Sequence, residues 1–334
     1  MANLELSFSI GRNPRSNPIL TGEVKPEGID LHPSSIHPSE LFWRQLGYQE
    51  FQASEMSMSS LLIALAHGID TWVGVPIFTS RQFFHTGVLV REGSGITKPE
   101  ELHGKRVGVP EYQQTAALWA RGILSDEYGV DPKQIHWVME RPPERSHGGA
   151  TGFDPATIGI DLSYMPSDTD MGEMIVDGEL DACLLYIAGG NNLVDRSSRP
   201  LGEPGSGATR LFDRRAEASR YFKKTGLYPV NHCVAVRRDV VEANPWVPVA
   251  LYEAFVEAKN LAARRTLAGV EGFVELGLIS ESAEADLLGT DLFPYGIKAN
   301  GHLLETITRF SYEQGLSGRL LTIEDIFHPS TLEL

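Results

Sequence analysis

Over the first eighty residues, the spacing of hydrophobic and polar positions alternates between the period of a β-strand and that of an α-helix. Residues 4–10 alternate apolar and polar side chains, which is typical of a strand with one buried face. Residues 57–67 form a mainly apolar stretch that stops at Gly68, which is typical of a helix ended by glycine. Strand and helix patterns follow each other in this way several times, so the sequence predicts an α/β fold with a mostly parallel sheet.

The same two patterns extend along most of the chain. Strands are predicted for residues 4–10, 29–33, 51–54, 71–76, 87–91, 106–109, 134–140, 182–187 and 233–237. Helices are predicted for residues 38–46, 57–67, 99–102, 115–127, 170–178 and 216–225, and from about 240 and 246 onward, with 249–263 the longest. Two stretches, residues 141–167 and 189–211, are rich in glycine, proline and serine. Loops of this length are binding loops, lids or plain surface excursions, and the sequence leaves these alternatives open.

Two of the predicted strands divide the chain into two α/β lobes. The chain crosses from one lobe to the other near residues 85–91 and returns near residues 232–238. Residues 1–86 and 236–334 then form the first lobe, and residues 87–235 form an inserted second lobe. Ligands are expected between the lobes, where strand ends meet the crossing segments.

Polar side chains gather at three of the predicted strand ends. Arg81 and His85 stand at the entry to one strand, Glu111 follows another, and Asn231 and His232 precede a third. Strand ends beside a helix N-terminus are where α/β sheets bind small anions. The sequence therefore predicts one polar cleft for a small carboxylate-bearing molecule.

The composition makes local positive charge in such a cleft important. The chain has 334 residues, with 29 lysines and arginines against 44 aspartates and glutamates, so its formal net charge is −15. An acidic surface repels nucleic acid and anionic membranes, and neither is predicted as a partner. It also repels an anionic ligand at long range, so an anion site must be locally basic.

Cysteine content and the chain termini predict a cytoplasmic protein. Cys183 and Cys233 are far apart in apolar runs, so they indicate two buried thiols rather than a disulfide framework or a zinc site. The first ten residues lack the basic and apolar regions of a signal peptide. No run of residues is long and apolar enough for a membrane span.

Several stretches together resemble the 4,5-dihydroxyphthalate decarboxylase family, an enzyme branch of the type II periplasmic-binding-protein-like fold. The matching stretches are residues 55–60 (EMSMSS), 81–86 (RQFFHT), 102–112 (LHGKRVGVPEY), 115–122 (TAALWARG), 228–232 (YPVNH), 293–296 (FPYG) and 299–300 (AN). They span nearly the whole chain in the family's order. The resemblance implies a two-lobed fold joined by two crossing strands, a homo-oligomer, and a cofactor-independent carboxy-lyase of aromatic compound degradation, such as phthalate catabolism.

Two positions depart from the family's pattern. Phe84 stands where the family usually has an arginine before the histidine of the first motif. Gly301 and His302 follow the Ala-Asn pair where the family usually has an arginine. Both changes remove positive charge, so they favour a substrate that differs from 4,5-dihydroxyphthalate itself.

The chemistry that the resemblance implies assigns roles to the strand-end residues. Arg81 is the expected clamp for a carboxylate, because its guanidinium can donate two parallel hydrogen bonds. His85 and His232 are expected to protonate the ring carbon or accept a phenolic proton as carbon dioxide leaves. Glu111 is expected to act as a general acid or base, or else as an acid favoured by the helix dipole.

Further residues are expected to line the substrate site, and for several of them a structural role is equally compatible with the sequence. Tyr112 and Thr115 are donors to an anion, or Thr115 is a helix cap. Arg121 is a second cation or a solvated helix residue. The remaining expected contacts are Glu55, Ser57, Asn231, Asp291, Tyr295 and Asn300.

Three alternatives stay open in the sequence. The fold is also compatible with a solute-binding protein that captures a small organic anion without chemistry. His85, His232, Glu111 and Asp291 could supply a metal site, but no short metal-binding spacing supports it, and the metal-free site is preferred. A pyrimidine-precursor synthase of thiamine biosynthesis shares the fold. That branch has a cysteine-rich pattern, and the two distant cysteines of this chain do not match it.

Overall fold

Two mixed β-sheets organise the chain. The computed structural model describes residues 2–188, 192–280, 282–283, 286 and 290–334. The first sheet has the strand order β2-β1-β3-β11-β4 and the second has the order β10-β5-β9-β6-β7-β8. The strands are β1 (Leu4–Ser9), β2 (Ile29–Ser34), β3 (Ala53–Ser57), β4 (Trp72–Arg81), β5 (Leu89–Arg91), β6 (Arg106–Val109), β7 (His136–Met139), β8 (Asp161–Tyr164), β9 (Ala182–Cys183), β10 (Ala208–Arg210) and β11 (Val230–Arg237).

Helices cover these sheets. They are α1 (Asn17–Leu20), α2 (Pro38–Tyr48), α3 (Met58–Ala66), α4 (Thr115–Tyr128), α5 (Met171–Val176), α6 (Arg214–Thr225), α7 (Arg238–Ala243), α8 (Val247–Glu275), α9 (Gly301–Glu313) and α10 (Ile323–Ile326). Helix α3 is apolar nearly all round, and its residues from Met58 to Leu65 are all buried, as expected for a helix enclosed by its neighbours. None of the helices in the part of the chain that the structure describes combines the length and apolar composition needed to cross a bilayer.

Strand β11 gives the first sheet its mixed character. It lies between β3 and β4 and runs antiparallel to both, whereas β1 pairs in parallel with β2 and β3. In the second sheet β6, β7, β8 and β9 pair in parallel, while β5 runs antiparallel to β9 and β10. The predicted mostly parallel arrangement is therefore present in both sheets, and β11 and β5 are the strands that run against their neighbours.

The chain passes between the sheets twice. It leaves β4 at Arg81 and makes a 3-10 turn over Phe84–Gly87 before β5, and it returns from α6 directly into β11. Because β11 pairs with the first sheet from Val230 onward, the return lies a few residues before the predicted crossing at 232–238. The division into lobes at 86/87 and 235/236 stays a prediction, and the sheet pairing favours an earlier second boundary.

Most predicted elements occur, and three differ for local reasons. Strand β3 covers Ala53–Ser57 rather than 51–54, and α3 begins only after Ser57, whose Oγ accepts a hydrogen bond from the Ser60 amide at 3.3 Å. Strand β9 ends at Cys183 rather than 187, because Leu185 has φ of +64°, which is incompatible with an extended strand. Strands β8 and β10 lie in the two stretches without a clear sequence pattern.

Helix α4 packs against α9 without a side chain at Gly122. A Cβ atom at Gly122 would lie 2.3 Å from Cδ2 of the Phe310 ring. The ring of Phe310 is 5.5 Å from that of Trp119 in an edge-on contact, so it is also held on its other side. The glycine is therefore required by close packing of the two helices rather than by backbone conformation.

We expect Gly122→Ala to lower the free energy of unfolding. Alanine in a helix interior normally stabilises by roughly 0.5–1 kcal/mol relative to glycine. Here overpacking against Phe310 costs about 1–3 kcal/mol, which outweighs that gain. The matched control is Gly269→Ala in α8, where a new Cβ meets nothing within 4 Å. In urea unfolding, the midpoint of Gly122→Ala should fall below that of wild type, and the midpoint of Gly269→Ala should rise above it. A stabilised Gly122→Ala variant would contradict this packing argument.

Candidate active site

Two adjoining cavities open at the carboxyl ends of β1, β2 and β3. Their volumes are about 260 Å³ and about 410 Å³, and both are lined by His37, Pro38 and His232. We call them together the cleft. The smaller cavity is also lined by Arg141 and Leu185, which follow strands β7 and β9 of the second sheet. Strand ends from both sheets therefore meet at the cleft, as in other α/β proteins that bind small ligands.

A histidine–carboxylate pair forms one wall of the cleft. Nδ1 of His232 on β11 lies 2.8 Å from Oε1 of Glu55 on β3. The same carboxylate accepts hydrogen bonds from Thr79 Oγ1 at 2.5 Å and from the Gly11 amide at 2.8 Å. Burial alone would raise the pKa of Glu55, but His232 and these hydrogen bonds outweigh it and hold the pKa below its usual value. Glu55 is therefore a fixed anion.

The pair leaves the second nitrogen of His232 available. Nε2 makes no hydrogen bond to any of the described residues, and the side chain lines both cavities. The Phe42 ring contacts the imidazole edge-on, with centroids 4.7 Å apart, which fixes the ring plane. A carboxylate on Nδ1 fixes the orientation and tautomer of the ring. This geometry lets Nε2 deliver or accept a proton in the cleft.

A buried ionic cluster forms the opposite wall. Arg141 donates from Nη1 to Glu111 at 2.7 Å, and from Nε and Nη2 to Asp195 at 2.9 and 2.6 Å. The ring of His147 is held between Glu111, 2.9 Å from Nε2, and Ser60, 3.0 Å from Nδ1. Both nitrogens of His147 and the Arg141 guanidinium are thus committed to neighbours. The cluster is built to position this wall rather than to exchange protons.

Glu111 is the centre of that cluster. Burial alone would raise the pKa of Glu111, but His147, Arg141 and a hydrogen bond from Ser146 outweigh it and hold the pKa far below its usual range. Gln113 and the His147 amide also donate to this carboxylate. Every oxygen lone pair has a partner, so Glu111 acts here as a permanent anion.

The N-termini of α3 and α4 meet at the floor of the cleft. Ser57 Oγ and Thr115 Oγ1 are 2.8 Å apart, and the Ser59 amide donates to Thr115 Oγ1 at 2.9 Å. The Gln114 side chain lines the same cavity, and its Nε2 is buried without a partner among the described residues. Two positive helix ends and an unused amide donor make this floor suitable for an anion.

Two arginines that were not anticipated line the larger cavity. Arg12 and Arg15 follow β1 and have no carboxylate within salt-bridge distance among the described residues. Arg15 donates from Nη2 to the Thr79 carbonyl at 2.9 Å, and its guanidinium lies 3.6 Å from the centre of the Phe293 ring. Burial lowers the pKa of Arg15. The signal in the sequence was the Gly-Arg-Asn-Pro-Arg run directly after the first strand.

The structure brings some predicted site residues to the cleft and leaves others away from it. Glu55, Ser57, Thr115, Asn231 and His232 line the cleft. Glu111 lies directly behind it, bonded to the lining residues Arg141 and His147. Arg141, His147 and His37 also line the cleft, but the sequence did not predict them as site residues. The only sequence signal for the first two was the long stretch 141–167.

His85 does not reach the cleft, which corrects the expectation that it pairs with His232 across the crossing strands. The 3-10 turn directs its ring toward α6, where Nε2 lies 3.0 Å from Glu217 Oε1. The ring is fully buried and packs against Phe212 and Tyr221. Burial lowers the pKa of His85 despite the glutamate. These contacts describe a structural histidine in the crossing segment.

Arg121 and Tyr112 also lie away from the cleft. The Arg121 guanidinium is 3.7 Å from the centre of the Tyr112 ring, and it donates to the Tyr112 carbonyl and to Gln314. Both side chains are buried behind α4. The expected second cation is therefore a packing element that joins α4 to α9.

Arg81, Asp291 and Asn300 line a separate cavity, and Tyr295 is buried beside it. Arg81 donates to the carbonyls of Tyr228 and Pro294, each at 2.9 Å, and to Asn300 Oδ1. The carboxylate clamp expected in the cleft thus lies elsewhere: Thr79 and Ser80 of β4 line the larger cavity of the cleft, but the Arg81 side chain is held by the segments at Tyr228 and Pro294. Among the described residues, no group of three or more His, Cys, Asp or Glu side chains is placed to hold a metal ion.

Solved structures with the same fold define the class of protein. The desulfurization enzyme DszB matches with a TM-score of 0.53 at 16% identity, covering 99% of this chain and 98% of its own. The alkanesulfonate-binding protein SsuA from Xanthomonas axonopodis pv. citri matches with a TM-score of 0.51 at 13% identity, with coverage of 99% and 98%. The chain therefore has the periplasmic-binding-protein-like α/β fold.

A curated relative identifies the family. The 4,5-dihydroxyphthalate decarboxylase of Comamonas testosteroni is 33% identical over 345 residues, covering 100% of this chain and 99% of the relative. The chain belongs to the 4,5-dihydroxyphthalate decarboxylase family. No protein-family model matches it.

The buried carboxylates predict how stability responds to acid. Glu111 has a lowered pKa, so it contributes stability above the usual glutamate pKa of ~4.3 that is lost as the pH falls. We expect Glu111→Gln to be less stable than wild type at pH 7, with the difference in unfolding free energy shrinking between pH 5 and 3.5.

The matched control is Glu140→Gln. Burial raises the pKa of Glu140 despite hydrogen bonds from Ser197 and the Met171 amide, so the charged form destabilises the fold above the usual pKa. The free energy of unfolding of wild type should therefore rise relative to that of Glu140→Gln as the pH falls. Urea unfolding of the three proteins at several pH values measures both trends, and parallel trends for the two variants would refute the assignment.

Proposed function

We propose that this protein decarboxylates a hydroxylated aromatic acid of the 4,5-dihydroxyphthalate type in the cleft, releasing carbon dioxide and a dihydroxybenzoate such as protocatechuate. The observation that carries the proposal is His232: its Nδ1 is held by the Glu55 carboxylate, its side chain lines the cavity, and its Nε2 has no hydrogen-bond partner among the described residues. Membership of the family supplies the substrate class.

Binding rests on the cations and helix ends of the cleft. Arg12 and Arg15 lie on one side, and the N-termini of α3 and α4 lie at the floor with the unpartnered amide of Gln114. A phthalate carries two adjacent carboxylates, and each can be held by one of these groups. The acidic clusters Glu55 and Glu111 are saturated by their own donors, so they do not compete for the cations.

The proton transfer follows from the position of His232. In 4,5-dihydroxyphthalate each carboxylate is para to a hydroxyl group. Loss of the proton from one hydroxyl therefore raises the electron density at the ring carbon that carries the carboxylate para to it. The imidazolium of His232 gives its Nε2 proton to that ring carbon. The carbon–carboxyl bond then breaks, its electron pair restores the aromatic ring, and carbon dioxide leaves. The fixed Glu55 stabilises the imidazolium before transfer.

His37 is the proposed acceptor of the phenolic proton. It lines both cavities and is exposed at the start of α2. His147 is excluded from this role because both of its ring nitrogens are engaged by Ser60 and Glu111. The reaction exchanges a carboxyl group for a proton and involves no change of oxidation state that would call for a redox cofactor. Glu111 acts as a positioning residue.

The resemblance extends the proposal to location and assembly. We assign the protein to the cytoplasm and to a homo-oligomer, both as implied by the family pattern in the sequence. Cell fractionation tests the first assignment, and light scattering of the purified protein tests the second.

We expect His232→Asn to lower kcat by about 10²–10⁴-fold on 4,5-dihydroxyphthalate, because a positioned general acid contributes about that factor. Carbon dioxide release measures it. The control is His136→Asn, an exposed histidine at the start of β7, the end of the strand opposite to the one that leads to the cleft, and this variant should keep wild-type turnover. In deuterated water, wild type should place one deuterium on the ring carbon that lost the carboxylate.

Two outcomes separate the alternatives. Tight binding of the phthalate by calorimetry with no carbon dioxide from wild type would favour a solute-binding protein. Wild-type turnover in the His232→Asn variant would leave the decarboxylase proposal standing and would remove His232 from the mechanism.

Arg15 should act mainly in binding. We expect Arg15→Gln to raise KM for 4,5-dihydroxyphthalate by about 10–100-fold, because a charge-assisted hydrogen bond contributes ~1.5–3 kcal/mol. The matched control is Arg106→Gln at the exposed start of β6, which should leave KM unchanged. Steady-state kinetics measures KM for both variants. Equal KM values in Arg15→Gln and wild type would exclude Arg15 from substrate binding.

A further inference from the structure

A second large cavity lies apart from the cleft. Its volume is about 500 Å³, and none of its lining residues lines either cavity of the cleft. Its walls come from the two segments that connect the sheets, at Phe83 and at 226–228, and from α6 and the start of α9. We call it the rear cavity. An occupant would contact elements attached to both sheets.

The rear cavity contains a buried cation that has no salt-bridge partner in the part of the chain that the structure describes. Arg81 is 8% exposed and makes no salt bridge among the described residues. All of its hydrogen bonds go to uncharged oxygens, those of Tyr228, Pro294 and Asn300, and its Nε has no partner. A buried cation is normally paired with an anion, because burial without one is costly. Burial lowers the pKa of Arg81 to about 10.

One carboxylate of the wall acts on Arg81 from a distance. Asp291 lines the cavity and its charge favours the charged form of Arg81, but its hydrogen-bonded partner is Lys259 at 2.6 Å, so Arg81 and Lys259 share one carboxylate. His302 lies in the first turn of α9 and also lines the cavity. The N-terminus of this 13-residue helix adds a positive dipole end, and a Cβ at Gly301 would meet nothing within 4 Å. The local balance is positive in an otherwise acidic protein.

The remaining wall is aromatic and apolar. Phe83 stacks on Tyr228 with centroids 4.8 Å apart and contacts Phe222 edge-on at 6.5 Å. Leu227 and Leu303 complete this side. Phe222 is 48% exposed, so the cavity is open to solvent beside it. Flat apolar walls next to one cation match a molecule with an aromatic ring and a single carboxylate.

We propose that the rear cavity is a binding site for a small aromatic monocarboxylate, separate from the cleft. The carboxylate lies beside Arg81 and the start of α9, and the ring packs against the aromatic wall formed by Phe83 and Phe222. The site does not depend on the proposed function of the cleft. Because the cavity is lined by both connecting segments, a bound acid holds the two sheets in one relative position.

Soaking crystals with 4-bromobenzoate tests the location. The proposal expects an anomalous bromine peak in the rear cavity of wild type and of Ala216→Trp, and no such peak in Ala218→Trp. Ala218 lines the cavity, whereas Ala216 is an exposed residue of the same helix that does not. A bromine peak confined to the cleft, or no peak in wild type, would overturn the proposal.

Calorimetry in solution tests affinity and the need for charge. Benzoate should bind wild type and the cleft variant Arg15→Gln with similar affinity, and Ala218→Trp at least tenfold more weakly. Benzamide, the neutral analogue, should bind wild type at least tenfold more weakly than benzoate. Equal binding of the two ligands, or loss of benzoate binding only in Arg15→Gln, would refute a second anion site. A failure of decarboxylation in the cleft would leave these outcomes unchanged.

Discussion

The pairing of β11 between β3 and β4 is the constraint on which the rest of the structure depends. The strand brings the chain back from the second sheet and supplies hydrogen-bond partners to both neighbours, which would otherwise present two open edges. Its antiparallel direction sets His232 opposite Ser57, close to Glu55 on the same neighbouring strand. One strand thus returns the chain to the first sheet and completes the histidine–carboxylate pair of the cleft.

Charge compensation decides which ionic side chains of the cleft are available for chemistry. Glu111, Arg141, Asp195 and His147 satisfy one another in a buried cluster. Such a cluster contributes little net stability, because the desolvation of each ion offsets the attraction. It does hold loop 141–148 against α3 and α4, so the wall of the cleft is rigid. Arg12 and Arg15 have no such partners among the described residues, which is why the proposal assigns them to an anionic ligand.

The same fold serves binding and catalysis in its solved relatives, so the fold alone does not decide the activity. The proposed catalysis rests on a histidine held at a defined orientation inside a cavity lined by cations and helix N-termini. His232 is fixed by Glu55 on one side and by Phe42 on its edge. Positioning of this kind accounts for much of the rate acceleration in proton-transfer enzymes.

The sequence by itself determined the class of fold, the family and most elements, because periodic burial and caps are local properties of the chain. The helices starting at Pro38 and Thr115 are where the pattern predicted them. It also indicated His232, whose motif lies in a strand end. Tertiary structure alone decided that His85 turns toward Glu217 and that Arg81 leaves the cleft. It also placed Arg141 and His147 at the cleft, although they lie in a stretch without a hydrophobic period. Contacts between distant segments depend on how the strands cross, and the local sequence does not contain that information.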